Sequence, residues 1–231
     1  MIAGRALIFN GSQMTNLRLC YQTIEFGKID IHLCTLRNIQ EFYDPNRVAE
    51  KLGICSAAWP IFGIIWPSSI VLAHHMINYD IGSKKVLEIG CGTALCSLLL
   101  NKMDVDITAT DHHPEAEGFL NRNTTLNGDS IIPFQRTGWS DNDDDLGRFD
   151  LIIGSDILYQ DEHVELLAEF IDAHSNSNCE VVIVDPGRGR KNKLAKKLHQ
   201  LGYQSSFSKP ENTSYIDDGF KGHILSFVRM H

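Results

Sequence analysis

The hydrophobic pattern of the chain becomes regular from Lys84 onward, where short apolar runs alternate with longer stretches of helical period. Short apolar runs predict strands, and apolar residues that recur at the helical period predict helices. Strands that alternate with helices favour a parallel sheet, and near-continuous apolar strands favour burial on both faces. The predicted strands are, in order, KKVLEIG, VDITATD, IIPFQRT, FDLIIGSD, CEVVIVD, YQSSFSK and HILSFVRM.

Helices are predicted after the first, second, fourth and fifth of these strands, and the second helix ends at Gly128, a typical helix-terminating glycine. The last two strands have no helix between them, which favours an antiparallel hairpin at the sheet edge. The predicted fold is therefore α/β and Rossmann-like. It has a mostly parallel seven-stranded sheet, helices on both faces and an antiparallel C-terminal edge strand.

The N-terminal part of the chain follows a different pattern. Two β-like runs, LRLCYQTIEF and KIDIHLCTLR, meet near Gly27, and the second alternates apolar and polar residues as a half-buried strand does. We expect residues 1–50 to form a small β-hairpin extension and residues 51–231 to form the main domain. The aromatic segment GICSAAWPIFGIIWPSSIVLAHHM then leads into a helix that starts at Pro67, and no internal repeats are evident.

Composition narrows the class of protein. Of the 231 residues, 43% are hydrophobic and 22% are charged, as in ordinary globular proteins. The net charge of −8 argues against nucleic acid as the main partner. His74 and His75 interrupt the longest apolar run, so no membrane-spanning segment is expected, and the N-terminus lacks a secretory signal pattern. We therefore expect a cytoplasmic protein. We also expect no metal site, because neither the cysteines nor the histidine pairs have metal-ligand spacing.

A glycine turn follows the first strand of the main domain, in VLEIGCGTA. Glycines between a strand and a helix let backbone amides approach a ligand closely, and the helix N-terminus adds a favourable dipole. The strand delivers Glu88 just before Gly90 and Gly92. Leu95 stands where the dinucleotide fingerprint has its third glycine, which disfavours NAD and FAD.

Acidic residues follow the next strands, at the edge where open α/β sheets bind ligands. Asp111 comes about twenty positions after the glycine turn and can accept hydrogen bonds from ribose hydroxyls; alternatively, it caps the helix that begins near Pro114. In GSDILYQ, the residues Ser155, Asp156 and Tyr159 lie at this same ligand-binding edge of the sheet, the rim. Alternatively, Asp156 caps a turn and Tyr159 packs against the next helix.

The three tryptophans have two interpretations each. Trp139, after the third strand of the domain, is either a lid over a flat ring or a core anchor. Trp59 and Trp66 each precede a proline in the aromatic segment, which either belongs to the core or covers a cofactor cleft.

Together these motifs resemble the class I, seven-β-strand methyltransferases, through ExGxG, Asp111 and FDLIIGSDILY. More narrowly, GIIWPSSIVLAHHM ahead of VLEIGCGTA, followed by TGW and SDILY, resembles the family-16 protein lysine methyltransferases. That family shares a WP helix start, a loop tryptophan and a DxxY motif. The doubled AAWPIFG segment resembles a bacterial branch of it.

The resemblance implies S-adenosylmethionine as the cofactor and a protein lysine as the methyl acceptor. The implied cofactor-binding residues, from the methionine end to the adenine end, are Trp66, Glu88, Gly90, Gly92, Asp111, Ser155 and Trp139. Asp156 and Tyr159 match DxxY, and their implied place is the substrate side. There Asp156 would orient the amine and accept its proton, and Tyr159 would offer a hydrogen bond or an aromatic wall.

Other functions share parts of the pattern. A methyltransferase of small molecules or RNA would have the same cofactor site. An NAD(P)-dependent oxidoreductase shares the fold and the acidic residue after the second strand, although Leu95 and Glu88 depart from its fingerprint. A non-catalytic cofactor-binding protein would share the fold without needing the acidic and aromatic residues of the rim.

Overall fold

The structure, a computed structural model, describes residues 18–41, 44, 46–141 and 145–230. Within these ranges the strands are β1 (Leu19–Phe26), β2 (Ile29–Leu36), β3 (Val86–Ile89), β4 (Ile107–Asp111), β5 (Phe134–Arg136), β6 (Phe149–Ser155), β7 (Ser175–Asp185), β8 (Gln204–Ser208) and β9 (His223–Arg229). The α-helices in the same ranges are α1 (Val48–Lys51), α2 (Pro67–Met76), α3 (Leu95–Lys102), α4 (Ala116–Asn127), α5 (His163–Ala173) and α6 (Lys191–Gln200).

The main sheet has seven strands in the order β5-β4-β3-β6-β7-β9-β8. The strands from β5 to β7 in this order are parallel, and β9 lies antiparallel between β7 and β8. The predicted fold is confirmed, including the C-terminal hairpin at the edge. The strand order reverses between β3 and β6, so the carboxyl ends of these strands border the crevice where open α/β sheets bind ligands.

Both faces of the central strands are buried, and successive side chains of a strand point to opposite sides. Val86 of β3 belongs to one core cluster with Leu72 of α2 and Leu99 of α3. Its neighbour Leu87 belongs to a second cluster with Leu167 of α5. All five side chains are fully buried, which explains why the parallel strands are apolar at almost every position.

The predicted hairpin packs on the main domain. β1 and β2 pair antiparallel along their whole length. Ile31 and Leu33 of β2 are fully buried in the core cluster that includes α2 and α3. Residues 1–17 of the predicted extension lie outside the described residues, and the division of the chain at residue 50 stays a prediction.

Side chains of α4 bond the outer edge of β2. The Asn123 Oδ1 accepts a hydrogen bond from the backbone N–H of Cys34 at 2.7 Å. Asn127 accepts from the backbone N–H of His32 at 2.9 Å and donates to the His32 carbonyl at 2.8 Å. These are the two bonds that a neighbouring strand would make with His32, so the edge of β2 is closed.

The aromatic segment corrects one expectation. The stretch Ser56–Met76 has a mean hydropathy of 1.5 and is long and apolar enough to cross a membrane by length and composition. The prediction that no run meets this criterion is therefore wrong. In the fold, this stretch consists of 3-10 turns followed by α2, and α2 buries Val71, Leu72 and Met76 in the core. A core helix passes the same composition test.

Candidate active site

The glycine turn after β3 requires residues that accept a left-handed backbone. Gly90 has a φ of 62° and Gly92 a φ of 55°, a region that other residues rarely adopt. A Cβ on Gly90 would also lie 2.8 Å from Cγ2 of Ile157, which follows β6. The turn therefore brings β3 and the end of β6 into close contact at the carboxyl edge of the sheet.

Glu88 is buried beneath this turn and is 2% exposed. Its Oε2 accepts a hydrogen bond from the backbone N–H of Ser97 at 2.8 Å and another from the Ser97 hydroxyl. Burial raises the pKa of Glu88 to about 7; the Ser97 hydrogen bonds oppose this rise, and the nearby charge of Asp111 adds to it. Glu88 thus ties the end of β3 to the first turn of α3.

Asp111 connects the glycine turn to the segment after β4. Its Oδ2 accepts from the backbone N–H of Gly92 and its Oδ1 from that of His113, both at 2.8 Å. Burial raises the pKa of Asp111, and these backbone hydrogen bonds oppose the rise. The alternative role as a helix cap is not seen, because α4 begins after Glu115 and has no side-chain cap.

The aromatic segment covers the glycine turn. A Cβ on Gly92 would lie 3.1 Å from the backbone oxygen of Phe62. The Phe62 ring stacks on His113, with 3.9 Å between ring centroids, and meets the Phe119 ring edge-on at 5.3 Å. The buried His113 has its pKa lowered to about 4, mainly by this burial.

Contrary to expectation, the aromatic segment contains a short repeat. The tryptophan units Ile54–Pro60 and Ile61–Pro67 both have the pattern I-x-x-x-x-W-P. The Trp59 indole N–H donates to the carbonyl of Ile54 at 2.9 Å, and that of Trp66 donates to Ile61 at 3.0 Å. Only the second unit, Ile61–Pro67, contains Phe62, so this unit is the one that lies on the glycine turn.

The rim residue Asp156 has a left-handed φ of 53° directly after β6. Its two carboxylate oxygens accept hydrogen bonds from Nε and Nη2 of Arg188, each at 2.8 Å. Arg188 lies in the loop after β7, between Gly187 and Gly189. Sequence reasoning missed Arg188, although the flanking glycines in PGRG marked a loop at this edge.

Tyr159 lies at the same rim and is 41% exposed. Burial of its hydroxyl raises the pKa of Tyr159, and the negative charges of Asp111 and Asp156 add to the rise. Tyr159 thus lies at the same carboxyl edge of the sheet as both carboxylates, after β6 and next to the end of β4 across β3. Ser155, the last residue of β6, is half-buried beside them.

Trp139 is half-buried and packs against the core cluster that includes α5. Its ring meets the His163 ring edge-on, with centroids 5.5 Å apart. His163 also contacts the Tyr159 ring, at 5.8 Å. His163, which the sequence analysis did not single out, thus links the two predicted aromatic residues of the rim.

Six of the nine predicted site residues fall into two groups at the carboxyl edge of the sheet. Glu88, Gly90, Gly92 and Asp111 lie in or against the glycine turn, and Asp156 and Tyr159 follow β6. The other three are Trp66, Ser155 and Trp139. Among the described residues, no three His, Cys, Asp or Glu side chains are grouped as metal ligands.

A model of the lysine methyltransferase family matches residues 56–199. The chain belongs to this family. The matched range begins within the first tryptophan unit and ends in α6, so it includes the glycine turn, Asp111, Asp156 and Arg188.

The curated relatives that the chain matches are named as protein methyltransferases. The chain is 29% identical over 132 residues to the protein N-lysine methyltransferase METTL21A of Danio rerio, covering 54% of this chain and 60% of that protein. It is 28% identical over 148 residues to the protein N-terminal and lysine N-methyltransferase EFM7 of Candida glabrata, covering 56% and 57%. The chain spans about half the length of the curated relatives it matches.

Solved structures share the fold. A methyltransferase from Pyrococcus furiosus has a TM-score of 0.59 at 23% identity, and the match covers 81% of this chain and 100% of that one. The ribosomal protein L11 methylase of Lactobacillus delbrueckii subsp. bulgaricus has a TM-score of 0.56 at 20% identity, covering 71% and 79%.

Family membership confirms the predicted methyltransferase class and S-adenosylmethionine as its cofactor. The chemistry of the glycine turn fits this group. Glu88 and Asp111 would offer two carboxylates to a molecule that carries a sulfonium, an ammonium and ribose hydroxyls. The part that each residue plays stays a prediction.

Proposed function

We propose that this protein transfers a methyl group from S-adenosylmethionine to the side-chain amine of a lysine in another protein. The observation that carries this proposal is that Asp111, at the end of β4, and Asp156 and Tyr159, after β6, lie at the same carboxyl edge of the sheet, in a chain of the lysine methyltransferase family. Carboxylates suit both a cationic cofactor and a lysine that arrives as an ammonium ion. The two named relatives are described as lysine methyltransferases, which supports the same acceptor.

The cofactor, when bound, supplies a methyl group made electrophilic by the sulfonium. We propose that Glu88, Gly90 and Gly92 hold its methionine part and that Asp111 accepts hydrogen bonds from its ribose hydroxyls. Asp111 has one oxygen directed to each of two backbone N–H groups, so the carboxylate is fixed before the ribose arrives.

The remaining cofactor contacts are proposed for three side chains. Trp66 would close the cleft near the methionine tail, since its tryptophan unit lies on Gly92. Trp139 would lie beside the adenine, with Ser155 nearby. The core contact of Trp139 does not conflict with this role, because its ring is only half-buried.

On the acceptor side, Asp156 would orient the lysine amine and accept its proton directly or through water. The amine must be unprotonated to attack, so a carboxylate at this position assists the reaction. Arg188 holds that carboxylate in a fixed direction, because its planar guanidinium engages both oxygens. Tyr159 would add a hydrogen bond or an aromatic wall next to the cation.

The test is to incubate the protein with isotope-labelled S-adenosylmethionine and a lysate from cells that lack its gene. Label in a discrete protein band, absent with Asp156→Ala, supports the proposal. Label confined to small metabolites or to RNA would instead support the alternative acceptors. Calorimetry with S-adenosylhomocysteine and with NAD separates a methyltransferase from an oxidoreductase, and cofactor binding without any transfer would indicate a non-catalytic protein.

Two further expectations belong to this proposal. A bacterial branch is proposed only from the resemblance of the doubled AAWPIFG segment, and the relatives named above come from a fish and a yeast. A cytoplasmic location is proposed from the sequence pattern. The net charge of −8 argues for a protein rather than a nucleic acid as partner.

A further inference from the structure

The two edges of the N-terminal hairpin differ. The edge of β2 is closed by Asn123 and Asn127, as described above. The other edge belongs to β1, which pairs only with β2 within the described residues. Among the residues that the structure describes, the hairpin is therefore open on one side.

The register shows which backbone groups of β1 are available. Arg37 N–H donates to the Arg18 carbonyl at 2.9 Å, which makes residues 18 and 37 a hydrogen-bonded pair. Such pairs alternate along an antiparallel ladder, so the odd-numbered residues of β1 direct their N–H and C=O groups away from β2. These residues are Leu19, Tyr21, Thr23 and Glu25.

Nothing within the described ranges blocks this edge. No backbone hydrogen bond to Tyr21, Thr23 or Glu25 is found there beyond the hairpin itself. Edge strands are commonly protected by proline, lysine or a bulge, and β1 has the sequence LCYQTIEF with an unbroken register. Such an edge is a template for pairing with another extended segment.

A cleft of about 630 Å³ runs along β1 and joins this edge to the aromatic segment. Its lining combines Ile64 and Ile65 of the second tryptophan unit with five residues of β1: Cys20, Gln22, Thr23, Ile24 and Glu25. Leu19, at one end of β1, packs in the cluster that contains Phe62, and Phe62 lies on the glycine turn. A segment paired with β1 thus has one end next to the candidate active site.

The opposite end of the hairpin carries two carboxylates, with Lys28 in the turn between the strands. Glu25 and Asp30 face each other across the strands, and both are exposed. Like charges directly opposite on a hairpin are destabilising. Neither has an ion-pair partner within the described parts of the chain. A basic partner segment would relieve this repulsion, and the charge of −8 favours the same partner.

From these observations we infer that the protein methyl acceptor docks an extended, basic segment on β1 as a third strand. Its basic side chains lie near Glu25 and Asp30, and its target lysine lies beyond the Leu19 end, at the rim. This inference rests on the proposed function, since it assigns the docking surface of the same acceptor.

The test compares Thr23→Pro with Thr23→Val in the labelling assay with the gene-deleted lysate. Both variants lose the hydroxyl that meets His32 Nδ1 at 2.8 Å, but only proline removes the outward N–H. Proline is tolerated on an edge strand when its nitrogen faces outward. We expect Thr23→Pro to label the acceptor band at least about tenfold more slowly and Thr23→Val to stay within about twofold of wild type.

The cofactor affinity of both variants, measured by calorimetry with S-adenosylhomocysteine, should equal that of the wild type. Labelling by Thr23→Pro at the wild-type rate overturns the docking inference and leaves the proposed function intact. If the wild-type protein labels no protein at all, the proposed function fails instead.

Amide exchange on the wild-type protein decides the question even if Thr23→Pro fails to fold. The purified labelled band, used as the probe, should slow exchange at Tyr21, Thr23 and Glu25, while Gln22 stays protected with or without it. Unchanged exchange at the three outward amides overturns the inference. Slow exchange of these amides without the probe also overturns the inference. In that case, protection that depends on protein concentration indicates pairing with a second copy, and protection that does not depend on it indicates pairing within this chain.

Discussion

Arg188 and Asp156 form a two-pronged ion pair, with Nε and Nη2 of the arginine each 2.8 Å from a carboxylate oxygen. The aspartate side chain is 10% exposed and the arginine side chain 41% exposed. The arginine therefore approaches the carboxylate from the solvent side and restricts its rotation. An incoming amine must meet a carboxylate whose direction is already set.

This pair predicts that Arg188 is a positioning residue. We expect Arg188→Ala to lower kcat by about ten- to hundredfold without changing the affinity for S-adenosylhomocysteine, because the acceptor amine is then poorly aligned. Arg188→Lys should recover only part of the loss, since an ammonium cannot engage both oxygens in a plane. Lys197→Ala is the control, because Lys197 pairs with Glu165 between α6 and α5 instead. A loss confined to cofactor affinity would contradict this role.

Asp111 and Asp156 should have opposite effects when replaced. Asp156→Asn keeps a residue that tolerates the left-handed φ and should abolish transfer while cofactor binding stays within about threefold. Asp111→Asn should weaken cofactor binding most, because the ribose contact loses its charge. Calorimetry and single-turnover assays on both variants check the pair. If cofactor affinity collapses with Asp156→Asn, that residue belongs to the cofactor site.

Glu88 predicts a pH dependence of stability in the cofactor-free protein. Its pKa of about 7 in the folded state exceeds the ordinary value of 4.5. At a pH between 4.5 and 7, the folded state therefore holds the Glu88 proton more tightly than the unfolded state does. Stability should therefore fall as pH rises from about 4.5 to 7, by roughly 3 kcal/mol, and level off above. Glu88→Gln should flatten this slope in denaturant titrations at pH 5 and pH 8. An unchanged slope would mean that other groups dominate.

The two tryptophan units offer a matched comparison. Trp66→Phe and Trp59→Phe each remove one indole hydrogen bond, worth about 1 kcal/mol. Because only the second unit lies on Gly92, we expect Trp66→Phe to weaken S-adenosylhomocysteine binding about fivefold and Trp59→Phe to leave it unchanged. Equal losses from both substitutions would argue against a specific cover by the second unit.

Local pattern was sufficient to predict most of the fold. The alternation of Ile29, Ile31 and Leu33 indicated the half-buried β2, and Gly128 ends α4 with a left-handed φ of 67°. The strand and helix around the glycine turn follow from residues that are neighbours in sequence. The boundary of β7 was less accurate, since it begins at Ser175 in a polar stretch that pairs with Phe149.

The contacts between loops could not be predicted in the same way. Arg188 meets Asp156 across 32 positions, and that contact exists only because β6 and β7 are adjacent and parallel. His163 joins Trp139 to Tyr159 for a similar reason, through the position of α5. No spacing rule relates such residues before the sheet order is known. The doubled tryptophan-proline segment, by contrast, was noticed in the sequence, but its common pattern I-x-x-x-x-W-P was missed.

The asparagine bonds that close the edge of β2 also constrain when the hairpin can form. They join residues separated by 89 and 95 positions. A two-stranded hairpin is at best marginally stable by itself, and contacts this distant must wait for a long loop to close. During synthesis the hairpin segment therefore leaves the ribosome before α4 and becomes ordered only once α4 has followed it. A segment made before α4 thus waits for α4 to reach its native form.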